Sequence, residues 1–120
     1  MPDLLIDTDV FIDQLRGART IPPELDRVWY SVVSRAELFA GDEAEEDAIS
    51  DLLSLYSEIP VDRGIAETAG RLRRRSPIGM PDALIAATAL EWDMELVSRN
   101  RRDFAQIAGL RLRDPARLTE

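Results

Sequence analysis

The stretch Met80-Pro81-Asp82-Ala83-Leu84-Ile85-Ala86-Ala87-Thr88-Ala89-Leu90 decides how the rest of the chain is read. It carries a single charge, Asp82, followed by residues that are all apolar or small. Pro81 suits the first turn of a helix, where its missing N–H is not needed, and the alanines and leucines favour propagation. A helix apolar on nearly every face is normally buried. The expectation is a buried helix around which the chain is organised, with a carboxylate at its positive dipole end. An acid in a first turn is by itself a common and mildly stabilising feature. Whether Asp82 does more depends on what the rest of the chain brings near it.

Outward from this helix, short apolar runs alternate with helical patterns. Leu4-Leu5-Ile6 reads as a buried strand ending at Asp7, with Val10, Phe11, Ile12 and Leu15 on a following helix that stops at Gly17. Val28-Trp29-Tyr30 reads as a second strand, and Ser31 to Gly41 as a helix with a glycine terminator. Asp42 to Tyr56 has the spacing of one acidic amphipathic helix. Glu58-Ile59-Pro60-Val61 is expected to be a third strand, with a helix from Asp62 that ends in Arg71, Arg73, Arg74 and Arg75. Glu95 to Ser98 and Leu110-Arg111-Leu112 complete the strands, with a loop and short helix over Arg99 to Phe104. Strands alternating with helices predict an α/β layer fold with a mainly parallel sheet. The length, 120 residues, fits one domain over 1–120.

Composition narrows the chemistry. The chain has no cysteine and no histidine, which removes thiolate nucleophiles, imidazole bases and the usual transition-metal ligands. All fifteen basic residues are arginine, so Schiff-base chemistry and lysine-dependent P-loops are excluded. An enzyme built from this set works with carboxylates, hydroxyls, amides, arginines and a hard metal ion. The net charge of −8 argues against a simple electrostatic nucleic-acid binder. It leaves room for a nucleic-acid enzyme whose acidic centre is masked by metal and bordered by arginine. No apolar run approaches the ~18 residues of a membrane span, and the start of the chain lacks a signal-peptide pattern. The expected location is the cytoplasm.

Ligands of parallel α/β sheets bind beyond the carboxyl ends of the strands. Asp7 ends the first strand, Asn100 and Asp103 follow the strand at Leu96-Val97, Glu37 lies on the helix after the second strand, and Asp82 opens the buried helix. If these converge, their mutual repulsion makes them costly unless they are protonated or bound to a cation. Oxygen ligands without His or Cys suit Mg²⁺ or Mn²⁺, and phosphodiester hydrolysis is chemistry such a site performs well. Each position also has a structural reading. Asp7 and Thr8 can cap the first helix, Ser34-Arg35-Ala36-Glu37 fits a capping box, and Asn100 can cap the short helix before Phe104.

Four segments together resemble one family. Leu5-Ile6-Asp7-Thr8-Asp9-Val10 looks like the N-terminal motif of PIN-domain proteins, and Ser34-Arg35-Ala36-Glu37-Leu38 resembles their second motif. Pro81 to Leu90 resembles the third, and Val97-Ser98-Arg99-Asn100-Arg101-Arg102-Asp103-Phe104 is similar to the fourth. Spacing and length resemble the VapC toxins of prokaryotic toxin–antitoxin pairs, over essentially the whole chain. The resemblance implies a three-layer α/β/α fold and a Mg²⁺- or Mn²⁺-dependent endoribonuclease. It also implies inhibition by a cognate VapB-type antitoxin, and homodimers that antitoxin can bridge. It makes Asp7 and Asp82 the primary metal ligands, Glu37 the acid for a second metal or for orienting water, and Asp103 the acid that completes the site. Thr8 and Ser98 become hydrogen-bond partners behind the ligands. One departure stands out: many PIN domains carry an acid where this chain has Asn100, which weakens the case for a second metal.

Arginine forks match phosphate geometry, so Arg99, Arg101 and Arg102 are candidates for RNA contacts. Arg71, Arg73, Arg74 and Arg75 are either further contacts or a solvated charge run. Asp42, Glu43, Glu45, Glu46 and Asp47 form an acidic face that should repel RNA. Among rivals, Asp7-Thr8-Asp9-Val10-Phe11 nearly fits the haloacid-dehalogenase phosphatase motif, but that chemistry and that of phosphoacceptor receiver domains need a lysine this chain lacks. The non-enzymatic alternative is a catalytically silent PIN-like binding module.

Overall fold

The computed structural model describes residues 2–119. Strand β1 (Leu4–Ile6) leads into α1 (Thr8–Leu15), β2 (Val28–Ser31) into α2 (Val32–Phe39), and α3 (Glu46–Leu53) into β3 (Ser57–Ile59). Helices α4 (Arg63–Arg75) and α5 (Met80–Glu91) precede β4 (Glu95–Val97), which is followed by α6 (Arg101–Phe104) and β5 (Arg111–Arg113). The strands form one sheet in the order β3-β2-β1-β4-β5 with every pairing parallel.

Strand alternation sorts the core into two layers, as the period of two requires. Leu5 and Leu96 face the side covered by α4 and α5, together with Ile65, Ala69, Ile85 and Ala86. Leu4, Ile6, Tyr30 and Val97 face the other side and pack with Phe11 of α1 and with Ile49, Leu52 and Leu53 of α3. The result is the expected α/β/α sandwich. Helix α5 is the buried element its composition demands: Ala83, Ile85, Ala86, Ala87, Thr88 and Ala89 are all buried. The small side chains let α4 and the sheet approach closely, and Thr88 returns its hydroxyl to Leu84 O at 2.7 Å, so burial leaves no unmet donor.

Several boundaries differ from expectation, each for a local reason. The acidic segment is not one helix: a 3-10 turn at Glu43–Glu45, capped by Asp42 onto Ala44 N at 2.9 Å, precedes α3. Strand β3 stops at Ile59, because Pro60 has no N–H to give to the ladder. Strand β5 lies one residue later than expected, in register with Glu95, Leu96 and Val97 of β4. Helix α1 does stop near a left-handed glycine, Gly17 at φ +75, whereas α2 ends at Ala40 with Gly41 outside the left-handed region.

The chain builds β1, β2 and β3 toward one edge and then returns to place β4 on the other side of β1. That reversal is the topological switch point of an open parallel sheet, where a crevice opens beyond the strand ends. Asp7 and Ser98 are the residues immediately after the two strands that flank it.

Candidate active site

Asp7 follows β1 with 5% of its surface exposed. Its N–H donates to Val97 O at 2.9 Å, tying it to β4. Its carboxylate does two things. Oδ1 accepts from Thr8 N at 2.8 Å, which is the helix cap that sequence reasoning allowed. Oδ2 accepts from Ser98 Oγ at 2.7 Å across the switch point. Ser98 is fully buried, and its oxygen accepts from Asn100 N at 2.9 Å, so its proton is committed to the carboxylate side. The cap and the tie to the other strand therefore coincide in Asp7.

Thr8 opens α1 and turns its hydroxyl to α2. Oγ1 donates to Glu37 Oε1 at 2.6 Å and lies 2.9 Å from Ser34 Oγ. Since the Thr8 proton goes to Glu37, the fully buried Ser34 must be the donor to Thr8. The capping box is not formed. Strand β2 runs on to Ser31, which caps α2 by accepting from Val33 N at 3.1 Å, so Ser34 already lies inside the helix. The S-x-x-E spacing instead aims Ser34 and Glu37 at the same hydroxyl of α1. Of the two readings the sequence left open for Ser34, the cap is the one the structure does not show. The available signal was that β2 could extend to Ser31.

Asp82 sits in the first turn of α5, whose N-cap, Gly79, offers no side chain. Its carboxyl is held above the ordinary aspartate range, by burial first and then by the negative charges of Glu37, Asp103 and Asp9. Asp7 is pushed up to about 7, by burial first, then by Asp9, with Asp82 adding less and the Ser98 and Thr8 N–H bonds offsetting part. Asp7 thus feels the charge of Asp9 and Asp82, and Asp82 that of Glu37, Asp103 and Asp9. Asp9 is the member that sequence reasoning did not single out. It accepts long bonds from Ser98 Oγ and Arg99 N, both at 3.4 Å, and burial raises its carboxyl too, with Arg99 countering.

Asn100 occupies the N-cap position of α6 but makes no side-chain cap bond; its Nδ2 donates to Asp103 Oδ2 at 3.2 Å instead. The amide that replaces an acid therefore steadies Asp103. Arg99 is engaged by acids of α1, with Nε 3.2 Å from Asp13 Oδ2 and 3.9 Å from Asp9 Oδ2. Arg101 pairs with Asp114 at 3.2 Å, and Arg102 is exposed. On α4, Arg71 pairs loosely with Glu67 at 3.9 Å, and Arg73 Nε donates to Ile78 O at 3.0 Å, which fixes the loop ahead of α5.

Among the described residues, no three acidic side chains are drawn together as a ready-made ion cage. The donor set nonetheless fits a small hard dication. Mg²⁺ is typically held through one or two carboxylates with water filling its octahedron. Carboxyls that resist ionisation through burial first, and then through one another's charge, are groups a dication would relieve. Asp7 and Asp82 would be the holders, with Glu37 and Asp103 beside them. Among the described residues, no helix is long and apolar enough to cross a membrane.

Comparison with known proteins agrees with this geometry. The PIN-domain profile matches residues 4–110. Ribonuclease VapC10 of Mycobacterium tuberculosis is 37% identical, over 81% of this chain and 82% of its own. Ribonuclease VapC19 of the same organism is also 37% identical, over 88% of this chain and 95% of its own. Among solved structures, a chain of a toxin–antitoxin complex from Klebsiella pneumoniae superposes with a TM-score of 0.79 at 30% identity, covering 93% of this chain and 97% of that one. A chain of the DNA-bound VapBC of Salmonella typhimurium reaches 0.84 at 23% identity, covering 96% and 99%, a likeness of fold. With four motifs in order, a matching sheet and relatives that span most of its length, the chain belongs to the VapC branch of the PIN-domain family.

Proposed function

We propose that this chain is a metal-dependent endoribonuclease, the toxin of a VapBC pair, cleaving RNA phosphodiester bonds where β1 and β4 diverge. The observation that carries the reading is Asp7. It is buried, doubly hydrogen-bonded and close enough to Asp9 and Asp82 to feel their charge, an arrangement that destabilises the fold unless it serves chemistry. The relatives named as ribonucleases support the activity, and neighbours solved as VapBC complexes support a VapB-type antitoxin as partner. The chain reads as a single domain that forms a homodimer and is inhibited by its antitoxin.

In this reading Asp7 and Asp82 hold Mg²⁺ or Mn²⁺, with Glu37 and Asp103 completing the acidic rim. A bound dication would lower the pKa of water and stabilise charge on the attacking and leaving oxygens. The chain's own groups do the positioning. Ser98 and Thr8 N fix both oxygens of Asp7. The relay from Ser34 through Thr8 holds Glu37 by Oε1, leaving Oε2 to orient the attacking water. Asn100 holds Asp103 by one oxygen.

The test is cleavage of total cellular RNA by the purified chain with Mg²⁺ or Mn²⁺ and with chelator, for the natural sequence and for Asp7→Asn and Asp82→Asn. Metal-dependent cutting lost in both variants, with circular dichroism unchanged, is the expected result. Cutting that survives both substitutions refutes the site; a folded wild type with no metal-dependent cutting favours the silent binding module.

A further inference from the structure

The rim formed by the strand ends is electrically lopsided. Beside the β2–β3 half stand Asp42, Glu43, Glu45, Glu46, Asp47 and Asp51, all exposed, and Asp42 and Glu45 share a hollow with Glu37. Beyond the β5 edge lies an open cavity of about 280 Å³ lined by Arg101, Leu112, Arg113, Asp114 and Arg117. Asp7 and Ser98 lie between the two. The backbones of the two places are tied, since Ser98 N donates to Arg113 O at 3.4 Å.

The cavity's arginines are held in place. Glu95 grips Arg113 through two bonds, Nε to Oε1 at 3.0 Å and Nη2 to Oε2 at 3.1 Å, with both side chains under one-fifth exposed. Asp114, the carboxylate in the lining, is occupied on both oxygens: Oδ1 accepts from Ala116 N at 2.9 Å and Oδ2 from Arg101 Nη2 at 3.2 Å. It works as an anchor for Arg101, whose guanidinium carries five donors of which that bond takes one. Three arginines line it in a protein of net charge −8, with Glu95 paired to Arg113 and Asp114 paired to Arg101. The donors that Arg101 keeps beyond its bond to Asp114 suit phosphate oxygens.

We propose that this cavity seats a backbone phosphate of the substrate RNA strand, next to the phosphate being cleaved. The strand then runs from the acidic centre over β4 and β5 and away from the acidic flank of α3. Two strand spacings separate β1 from β5, roughly 10 Å, which keeps the cavity within reach of a neighbouring phosphate. The inference rests on the ribonuclease reading and adds to it a direction for the strand and two residues, Arg113 and Arg117, that no motif marks.

The experiment measures binding of a fluorescein-labelled, random-sequence single-stranded RNA in Mg²⁺, across a salt series, with Asp82→Asn present to prevent turnover. Adding Arg101→Gln and Arg117→Gln should raise Kd at least about fivefold and reduce the salt slope by about 0.7 per lost phosphate contact. Lysine at both positions should restore the slope, because it restores the charge. Glu43→Gln with Glu46→Gln should change Kd by no more than about twofold, since exposed charges beyond a Debye length are screened. An unchanged slope in the folded glutamine variant overturns the proposal, as does marked tightening when the acidic flank is neutralised. Cleavage by the wild-type chain is scored in parallel: its absence strikes the ribonuclease reading, whereas cleavage with an unchanged slope strikes only the cavity.

Discussion

Replacing Asp7 by Asn should stabilise the metal-free protein while abolishing its activity, and the size of the effect follows from the site. The Asp7 carboxyl moves from 3.8 to about 7 on folding. For an acid whose pKa is raised in the folded state, stability is greatest below the unfolded value and is lost as pH rises through the folded one. Between pH 3.8 and about 7 the wild type therefore loses roughly 1.4 kcal/mol per pH unit from this group, reaching about 4 kcal/mol above neutrality. Asparagine carries no such penalty. Its Oδ1 can still accept from Thr8 N, but Ser98 must turn from donor to acceptor, at a cost of about 1 kcal/mol. The net expectation is a variant more stable than wild type by about 3 kcal/mol at pH 8, with the gap closing toward pH 4. With a urea m-value of about 2 kcal/mol/M, the midpoint at pH 8 should rise by about 1.5 M. The assay is urea unfolding in chelator from pH 4 to pH 9. Adding millimolar Mg²⁺ should stabilise the wild type alone, by about 2.7 kcal/mol when the ion is at a hundred times its Kd. Equal midpoints at pH 8, or a gap that does not shrink with acid, would refute the account of Asp7 as a buried carboxyl held above its ordinary range.

Two further outcomes follow from the hydrogen bonds around the site. Ser98→Ala removes a donor that favours ionised Asp7, so the pH profile of cleavage should move to the alkaline side; a profile that does not move detaches Ser98 from Asp7. Thr8→Val keeps the shape but frees Glu37 and strands the Ser34 hydroxyl, so kcat should fall about tenfold or more, equivalent to about 1.4 kcal/mol, with KM nearly unchanged. A change confined to KM would place Glu37 in substrate binding instead.

Parts of the site were legible because local chemistry determines them. Asp7, Thr8 and Ser98 follow apolar runs too short to be anything but buried strand ends, and the α5 pattern leaves Asp82 as its only charge. Ser34 stayed ambiguous because S-x-x-E is equally a cap and a pair aimed at another helix. Only the end of β2 distinguishes them, and strand ends depend on the register with a neighbour, here Ser31 against Ile59. Arg99 looked like a free basic residue beside the motif. Its engagement by Asp9 and Asp13 comes from α1 lying against the β4 exit, a contact between residues some ninety positions apart.

The sequence by itself determined the alternation of strands and helices, the burial of α5, the restriction to carboxylate chemistry and the family. Those rest on periodicity, composition and the order of four motifs, which are properties of neighbouring residues. Only the tertiary structure decided which acids feel one another's charge, which hydroxyl orients which carboxylate, and which acid each arginine pairs with. The reason is physical. Parallel strands are joined by crossovers, so residues that touch across the switch point are far apart in the chain, and nothing local records which side of β1 the returning strand takes.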